Sequence, residues 1–432
     1  MKLVKLSLIA AMATGIMATA SSAAPLDEVI KDVDVSGYVR LRFTNDSHDA
    51  KGVDNDNSSS WNFKGQVNLK TMIDDNFYSV VGVRYNDTDN SRGVSEANDD
   101  DFDLNRAYIG YTVGNTTFQL GRQDVGAFFT DDMYGTGAKI LNTDIEGLTL
   151  AALWMDALEA DGDITANGLT FGDLSDDIRD DLGVVSKDFD DTKIIQALTG
   201  KSVIDHDLYG AAIIGSYDPV NFQLWYAMLE DVTDLFAAEL ALNFDVDQDV
   251  DINLKGQYGF SDFDGKFKED TLDLIGDGQF YAGELSTTIY GVDIAGGYVN
   301  FSADKDKLSL VSLEDQGSFL SPGEELLNYR LFAGKNNFWY VTAGFTIPDT
   351  KFKISADYLN GENKYNGDAL KSENLKDKSD MSEVVARINY AHSDKLNFKA
   401  WYSHVERDVN YLGGNEEDYK NDRIRFEAKY SF

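Results

Sequence analysis

The sequence predicts an all-β fold, a transmembrane antiparallel up-and-down β-barrel of about eighteen strands, sixteen being the neighbouring even count. Three observations predict it. Side-chain polarity alternates with period two along most of the chain, short turns alternate with long polar loops, and beyond the N-terminal leader no apolar run is long enough for a membrane-spanning helix.

The chain opens with a secretory leader pattern. Lys2 and Lys5 supply a basic start, Leu6 to Met17 an apolar stretch too short to cross a bilayer, and Ser21-Ser22-Ala23 the small residues of a cleavage site. Cleavage is expected after Ala23, because cutting one residue later would leave Pro25 in the first mature position. Residues 1–23 are thus read as a signal peptide and 24–432 as one barrel domain.

In Asp34-Val35-Ser36-Gly37-Tyr38-Val39-Arg40-Leu41-Arg42-Phe43 the odd positions are apolar or glycine and the even ones mostly polar. Trp61 to Lys70 repeats the pattern, and so does Arg423 to Phe432. A strand turns successive side chains to opposite faces, so one face is apolar and the other wet. On this basis strands are expected at 33–43, 61–73, 77–87, 102–113, 117–123, 138–142, 147–156, 207–217 and 221–228. The second half adds 235–244, 250–260, 279–286, 289–301, 338–347, 351–360, 382–391, 395–405 and 422–432.

The connections separate a barrel from a soluble sandwich. Tight turns such as Asp74-Asp75-Asn76, Gly114-Asn115-Thr116, Asp218-Pro219-Val220 and His392-Ser393-Asp394 alternate with long stretches at 44–60, 88–101, 157–206, 261–278, 302–337, 361–381 and 407–421. Short turns on one rim and long loops on the other are the arrangement of outer-membrane barrels. Within 157–206, read as a folded external loop, Leu174 to Leu182 is helix-like. The 4 prolines fall outside every expected strand, as a barrel without edges requires. Aromatic residues gather near strand ends, among them Phe77, Tyr111, Tyr217, Trp339 and Tyr390. Amphipathic rings favour the headgroup level. The chain ends on Phe432, which resembles the terminal aromatic assembly signal of bacterial outer-membrane barrels.

Composition excludes several function classes. The net charge of −37 becomes −39 once the leader takes away two lysines, which repels nucleic acid and favours cations. With no cysteine, no disulfide holds the fold. His48, His206, His392 and His404 are scattered without metal-ligand spacing, and no Gly-x-Ser-x-Gly or phosphate-cradling glycine motif appears. An enzyme is not expected.

Two sets of charges stand out as candidates. Arg40, Arg42, Lys64 and Arg84 lie on lumen-facing positions of early strands. The second set follows Phe118-Gln119-Leu120-Gly121-Arg122, in the segment 123–137 that contains Asp124, Asp131 and Asp132. This resembles trimeric general porins, in which a third long loop folds into the pore after a strand ending in Gly-Arg. The resemblance implies a constriction with Asp124, Asp131 and Asp132 on the loop side and Arg40, Arg42, Arg84 and Arg122 on the wall. Arg122 breaks strict alternation after Phe118 and Leu120, so it faces the lumen only if a bulge intervenes.

The segment Pro25 to Gly37 resembles the Campylobacter-type major outer membrane protein family. So do Gly147-Leu148-Thr149-Leu150-Ala151-Ala152, Asp207-Leu208-Tyr209-Gly210-Ala211-Ala212, Gly215-Ser216-Tyr217-Asp218, Glu314-Asp315-Gln316-Gly317 and Lys395-Leu396-Asn397-Phe398. The resemblance implies a cation-selective homotrimeric porin of the bacterial outer membrane, set among lipid and lipopolysaccharide. It also implies a calcium ion near the constriction, with Asp132 and Glu314 as ligands and a third acid from Asp161 or Asp163. Calcium accepts several oxygens in irregular geometry, which suits converging loop carboxylates. The expectation is therefore a passive channel for small hydrophilic solutes and ions. The alternatives are a substrate-specific channel and a barrel that mainly displays loops as an adhesin.

Overall fold

The computed structural model describes residues 33–50, 56–90, 102–159, 206–247, 250–271, 275–305, 307–364, 378–410 and 416–432. The expected signal peptide, nearly all of loop 157–206 with its helix-like patch, and Asp161 and Asp163 lie outside the described residues.

The first strands are β1 (Val33–Ala50), β2 (Asp56–Met72), β3 (Phe77–Asn90), β4 (Phe102–Val113), β5 (Thr116–Asp124) and β6 (Tyr134–Asn142). They continue as β7 (Leu148–Leu158), β8 (Leu208–Tyr217), β9 (Val220–Leu229), β10 (Thr233–Asp247) and β11 (Val250–Phe263). The short helix α1 (Gly265–Asp270) follows, then β12 (Gly278–Ile289) and β13 (Val292–Ala303). A two-residue ladder, β14 (Leu308–Ser309) with β15 (Phe332–Ala333), belongs to the next loop. The wall resumes with β16 (Lys335–Thr346), β17 (Phe352–Lys364), β18 (Lys378–Ala391), β19 (Leu396–Asn410) and β20 (Glu416–Ser431).

Each wall strand pairs antiparallel with its neighbours, and β1 pairs with both β2 and β20, so the 18-stranded sheet closes on itself. Closure satisfies every ladder within the wall, which is what a sheet needs in hydrocarbon. The last residue seals the seam: Phe432 and Gly37 exchange backbone hydrogen bonds of 3.0 and 3.1 Å.

The odd residues of β1 face outward, and apolar side chains elsewhere on the outer wall are strongly exposed, with Val39 at 56%, Leu120 at 65% and Leu285 at 56%. Such exposure on a closed wall marks a lipid-facing surface. Two aromatic belts rim it. On the turn side Phe77 meets Tyr111 at 4.4 Å, Phe352 meets Tyr390 at 4.5 Å, and Phe398 and Phe426 continue the row. On the loop side stand Trp154, Tyr209, Tyr226, Tyr402 and the Trp339–Tyr358 pair.

All eighteen expected strands are present, with sixteen excluded. Several run further at their loop ends than expected: β1 continues to Ala50 and β2 begins at Asp56, so the connection expected at 44–60 shrinks to 51–55. Here Asn45, Asp46 and Ser47 leave no apolar face to alternate, yet the β1–β2 ladder continues through Ser47 opposite Asn57. The loop-side rim also holds one tight connection, Glu230 to Val232 between β9 and β10.

The packed core lies inside the barrel. Lumen-facing Leu235, Phe280, Val299, Phe301, Phe338 and Leu359 are buried beneath the 304–334 connection, which contributes Leu310, Val311, Leu313, Phe319, Leu326, Leu327 and Tyr329. Phe280 meets Phe319 (4.6 Å) at a tilt and Tyr329 (5.1 Å) edge-on, and Tyr329 also meets Phe301 at 5.1 Å. Long Gln257 on β11 fixes this connection, donating to Ser318 O (3.0 Å) and accepting from Leu320 N (2.7 Å). The connection thus packs inside the barrel against the inner face of β10, β11, β12, β13, β16 and β17.

Candidate functional site

Two loops build the narrow section. The first, 125–133, leaves β5 and folds inward with Val125, Phe128, Phe129 and Met133 buried. The second is the 304–334 loop. They are sewn together by backbone: Leu313 N donates to Phe129 O (2.8 Å) and Ser318 N to Phe128 O (2.7 Å). Gly317 sits where an added Cβ would lie 2.5 Å from Phe128 O, and its φ of +54° suits glycine, so the seam depends on a bare backbone there.

Glu314 completes the seam. It is fully buried, and its Oε2 accepts from the backbone N–H of Asp131 (3.0 Å) and Met133 (2.7 Å). Burial, together with the facing Asp132 carboxyl, pushes Glu314 up to about 9. Asp132 is also desolvated, but the Lys64 ammonium at 2.8 Å outweighs burial and holds it below the ordinary range. Burial, then Asp132 and Asp315, raise Asp131.

The far end of the second loop is bolted to the adjoining strands β18, β19 and β20. Buried Glu383 on β18 accepts from three successive amides, Glu324 N (3.0 Å), Glu325 N (3.1 Å) and Leu326 N (3.2 Å), and from Ser403 Oγ (2.7 Å). Arg387 grips Glu324 (2.6 Å), Asp357 (2.7 Å) and Gly323 O (3.0 Å), and Lys399 reaches Glu324 at 3.1 Å. Arg423 pairs with both Glu325 and Asp46.

What remains open is an eyelet with opposite charges on its two sides. The loop side holds a cavity of about 360 Å³ lined by Asp131, Asp315, Ser321, Pro322, Glu324 and Glu325 among others. The wall side is the lumen face of β1 and β20, where Arg42 donates to Glu427 (2.8 Å), Arg40 to Asn62 (3.0 Å), and Arg425 lies over the Trp401 ring at 4.9 Å. These arginines sit on inward positions because a lipid-facing Arg costs about 2–4 kcal/mol at the bilayer midplane.

The structure distributes the expected constriction residues unevenly. Arg40, Arg42, Asp131 and Asp132 come to the eyelet. Arg84 is buried behind the first loop, paired with Glu159 and with Asp103 (3.5 Å) and stacked near Tyr134. Asp124 pairs with Arg106 at 2.8 Å, away from Arg40 and Arg42. Arg122 lies 3.9 Å from Asp103; the strand is irregular there, with Gly121 at φ +128°. Arg387, Arg423, Arg425, Glu325 and Glu383 were not singled out from the sequence. Arg423 and Arg425 were visible as inward charges of the closing strand, but the tip of the second loop gave no sign of where it docks.

Of the expected calcium ligands, Asp132 and Glu314 meet. Glu314 Oε1 is buried without a hydrogen-bond partner, and two facing carboxylates call for a shared proton or a cation, so this pair fits a divalent ion. Among the described residues no group of three acidic or histidine side chains is poised for a metal, so the pair supplies only part of a shell.

Burial lifts Glu325 to about 7 despite the neighbouring Arg423. Between its ordinary 4.5 and about 7 the folded chain holds a proton that an unfolded chain releases, so seating of the loop tip weakens as pH rises through that window. Ionisation also adds a negative charge to the eyelet. The permeability ratio of potassium to chloride therefore rises between about pH 6 and pH 8, and a flat ratio, equal to that of E325Q, contradicts this assignment.

The family model described as Campylobacter major outer membrane protein matches residues 1–430. No curated protein matches the chain at a significant level. Among solved structures, OccK7 (OpdD) of Pseudomonas aeruginosa superposes with a TM-score of 0.63 at 14% identity, covering 93% of this chain and 99% of that one. OpdQ gives 0.62 at 13%, covering 92% and 99%, and the outer membrane protein OprD 0.61 at 13%, covering 92% and 94%, both from the same organism. At such identities the likeness concerns the fold.

Proposed function

Because the chain belongs to the Campylobacter major outer membrane protein family, a family of porin-like outer-membrane barrels, we propose that it forms a water-filled channel for passive diffusion of small hydrophilic solutes, favouring cations. The observation that carries this reading is the closed 18-stranded wall whose inner side bears charged side chains of both signs, the arginines of β1 and β20 and the acids of the two inward loops. Rings and ranks of charged side chains are how pores discriminate ions. The cation preference rests on the chain's net charge of −37 together with Asp131 and Asp315, two acids that line the loop cavity.

In planar bilayers the protein gives steady current steps with a cation-selective reversal potential in a salt gradient. Replacing Asp131 and Asp132 together by Asn shifts that potential toward the anion side; silence, or an unchanged potential in the double variant, contradicts the reading.

The family membership also supports a homotrimer contacting outer-membrane lipid and lipopolysaccharide, with a signal peptide at 1–23. Asp132 and Glu314 would hold a calcium ion, with Asp161 or Asp163 as a further ligand. The ion would neutralise the facing carboxylates and tie the first loop to the second. Chelation with EGTA then lowers the temperature at which the detergent-solubilised protein loses its β-sheet signal, whereas E314A shows no such shift; a wild-type melting point insensitive to EGTA contradicts the calcium assignment.

A further inference from the structure

On the outside of the barrel, the loop-side ends of β16, β17 and β18 carry a row of lysines. Lys335 on β16 lies directly opposite Lys364 on β17, and Lys364 directly opposite Lys378 on β18. All three are exposed, whereas the alternating neighbours Asn336, Asn363 and Ser379 are buried, so the lysines point away from the lumen. Like charges facing each other across a ladder oppose its pairing. The protein offsets them only in part. Glu362 bonds Lys364 and, at 2.7 Å, Lys378, and Asp380 bonds Lys378 at 2.8 Å, but Lys335 meets no carboxylate among the described residues. Three ammonium groups thus share two carboxylates, in a chain whose net charge is −37.

Other outward charges of the loop-side rim have their partners at hand. Lys420 on β20 is taken by Glu406 at 3.0 Å. Near β8 and β10 the charges are acids, Asp207 held by Trp154 (2.9 Å) and Tyr209 (3.0 Å), and Asp234 by Tyr226 (2.9 Å).

Towards the lipid, the outer face of β16, β17 and β18 changes character in steps. The next outward row is Asn337, Glu362 and Asp380, the one after is Trp339, Asn360 and Ser382, and the third is Val341, Tyr358 and Val384. Trp339 and the whole third row are exposed on the lipid side. Four residues separate Lys335 from Trp339, which is about 13 Å along a strand. A strand tilt of about 40° makes this about 10 Å of height. The lysines therefore stand above the aromatic belt, at the level of lipid headgroups.

We propose that this face is a docking site for a phosphorylated glycolipid of the outer leaflet, with a phosphate on Lys335, Lys364 and Lys378. Phosphate supplies several acceptor oxygens and the negative charge that the row lacks. The acyl chains lie on Trp339, Val341, Tyr358 and Val384, and sugar hydroxyls meet the amide, hydroxyl and carboxylate groups of the rows between. That polar interval of about 10 Å favours a glycolipid over a glycerophospholipid, because it leaves room for a sugar backbone between phosphate and chains. This deepens the reading that lipopolysaccharide surrounds the barrel and rests on it.

The test titrates the full-length protein in detergent micelles with lipid A and counts bound lipid by native mass spectrometry. Bisphosphorylated lipid A binds about tenfold tighter than the same lipid stripped of both phosphates, the gain expected for charge-assisted contacts. The triple variant K335Q/K364Q/K378Q brings that ratio to about one, whereas K420Q keeps it; heat-modifiable migration in electrophoresis verifies that each variant is folded. Neither phosphatidylglycerol nor millimolar inorganic phosphate displaces bisphosphorylated lipid A from the wild type. Equal affinity for the two forms of lipid A, a triple variant that keeps the preference, or displacement by either competitor overturns the proposal while leaving contact with lipopolysaccharide standing. A wild-type protein that binds neither form overturns that contact as well.

Discussion

Replacing Glu383 by Ala releases the tip of the second loop from the wall and widens the passage. Three successive amides and the Ser403 hydroxyl lose their acceptor at a fully buried position. Orphaning such donors costs on the order of 3–5 kcal/mol, even though the hydrogen-bonded wall itself is untouched. The expected result is a folded barrel with a single-channel conductance raised about twofold and frequent flicker, because the moving segment lies in the current path. Limited proteolysis near 318–330 then cuts E383A and spares the wild type. Gly323 reports on the same bolt: an added Cβ would meet Glu383 Oε2 at 2.3 Å with φ at +86°, so Gly323→Ala reproduces the effect without touching a charge. Conductance equal to wild type in both variants contradicts the anchoring.

The second large effect is expected at Glu314. In E314A the amides of Asp131 and Met133 lose their shared acceptor and a cavity opens between the loops. The loss is about 2–4 kcal/mol from the stability of that seam. Asp131 and Asp132 then spread over many positions, so the reversal potential scatters from channel to channel instead of taking one value. A single sharp reversal potential in E314A means the backbone bonds of Leu313 and Ser318 suffice, and Glu314 is then not the fastener.

These residues also mark where the sequence stops being readable. The wall was legible because lipid on one side and water on the other impose alternation, which Asp34 to Phe43 and Arg423 to Phe432 display without interruption. Alternation fades above the lipid, so the pattern stops before β1 and β2 do. Within β12, β13 and β16 apolar residues occupy inward positions too, as at Phe280, Phe301 and Phe338. That departure, with Leu308, Leu310, Val311 and Leu313 clustered in a loop otherwise expected to be wet, is the available sign that something covers the inner wall. The partner of each clamp remained hidden: Glu383 meets 324–326 across nearly sixty positions, and no local pattern encodes that contact.

The account stands on strict alternation between lipid and lumen along the strand that closes the eyelet. Because the chain has no cysteine, single cysteines at positions 424, 425, 426 and 427 of β20 can each be treated with a charged, membrane-impermeant thiol reagent during current recording. Modification at 425 and 427 changes the current stepwise, and 424 and 426 stay silent. Reaction at all four positions, or at 424 and 426 instead, contradicts the assignment of Arg425 and Glu427 to the pore.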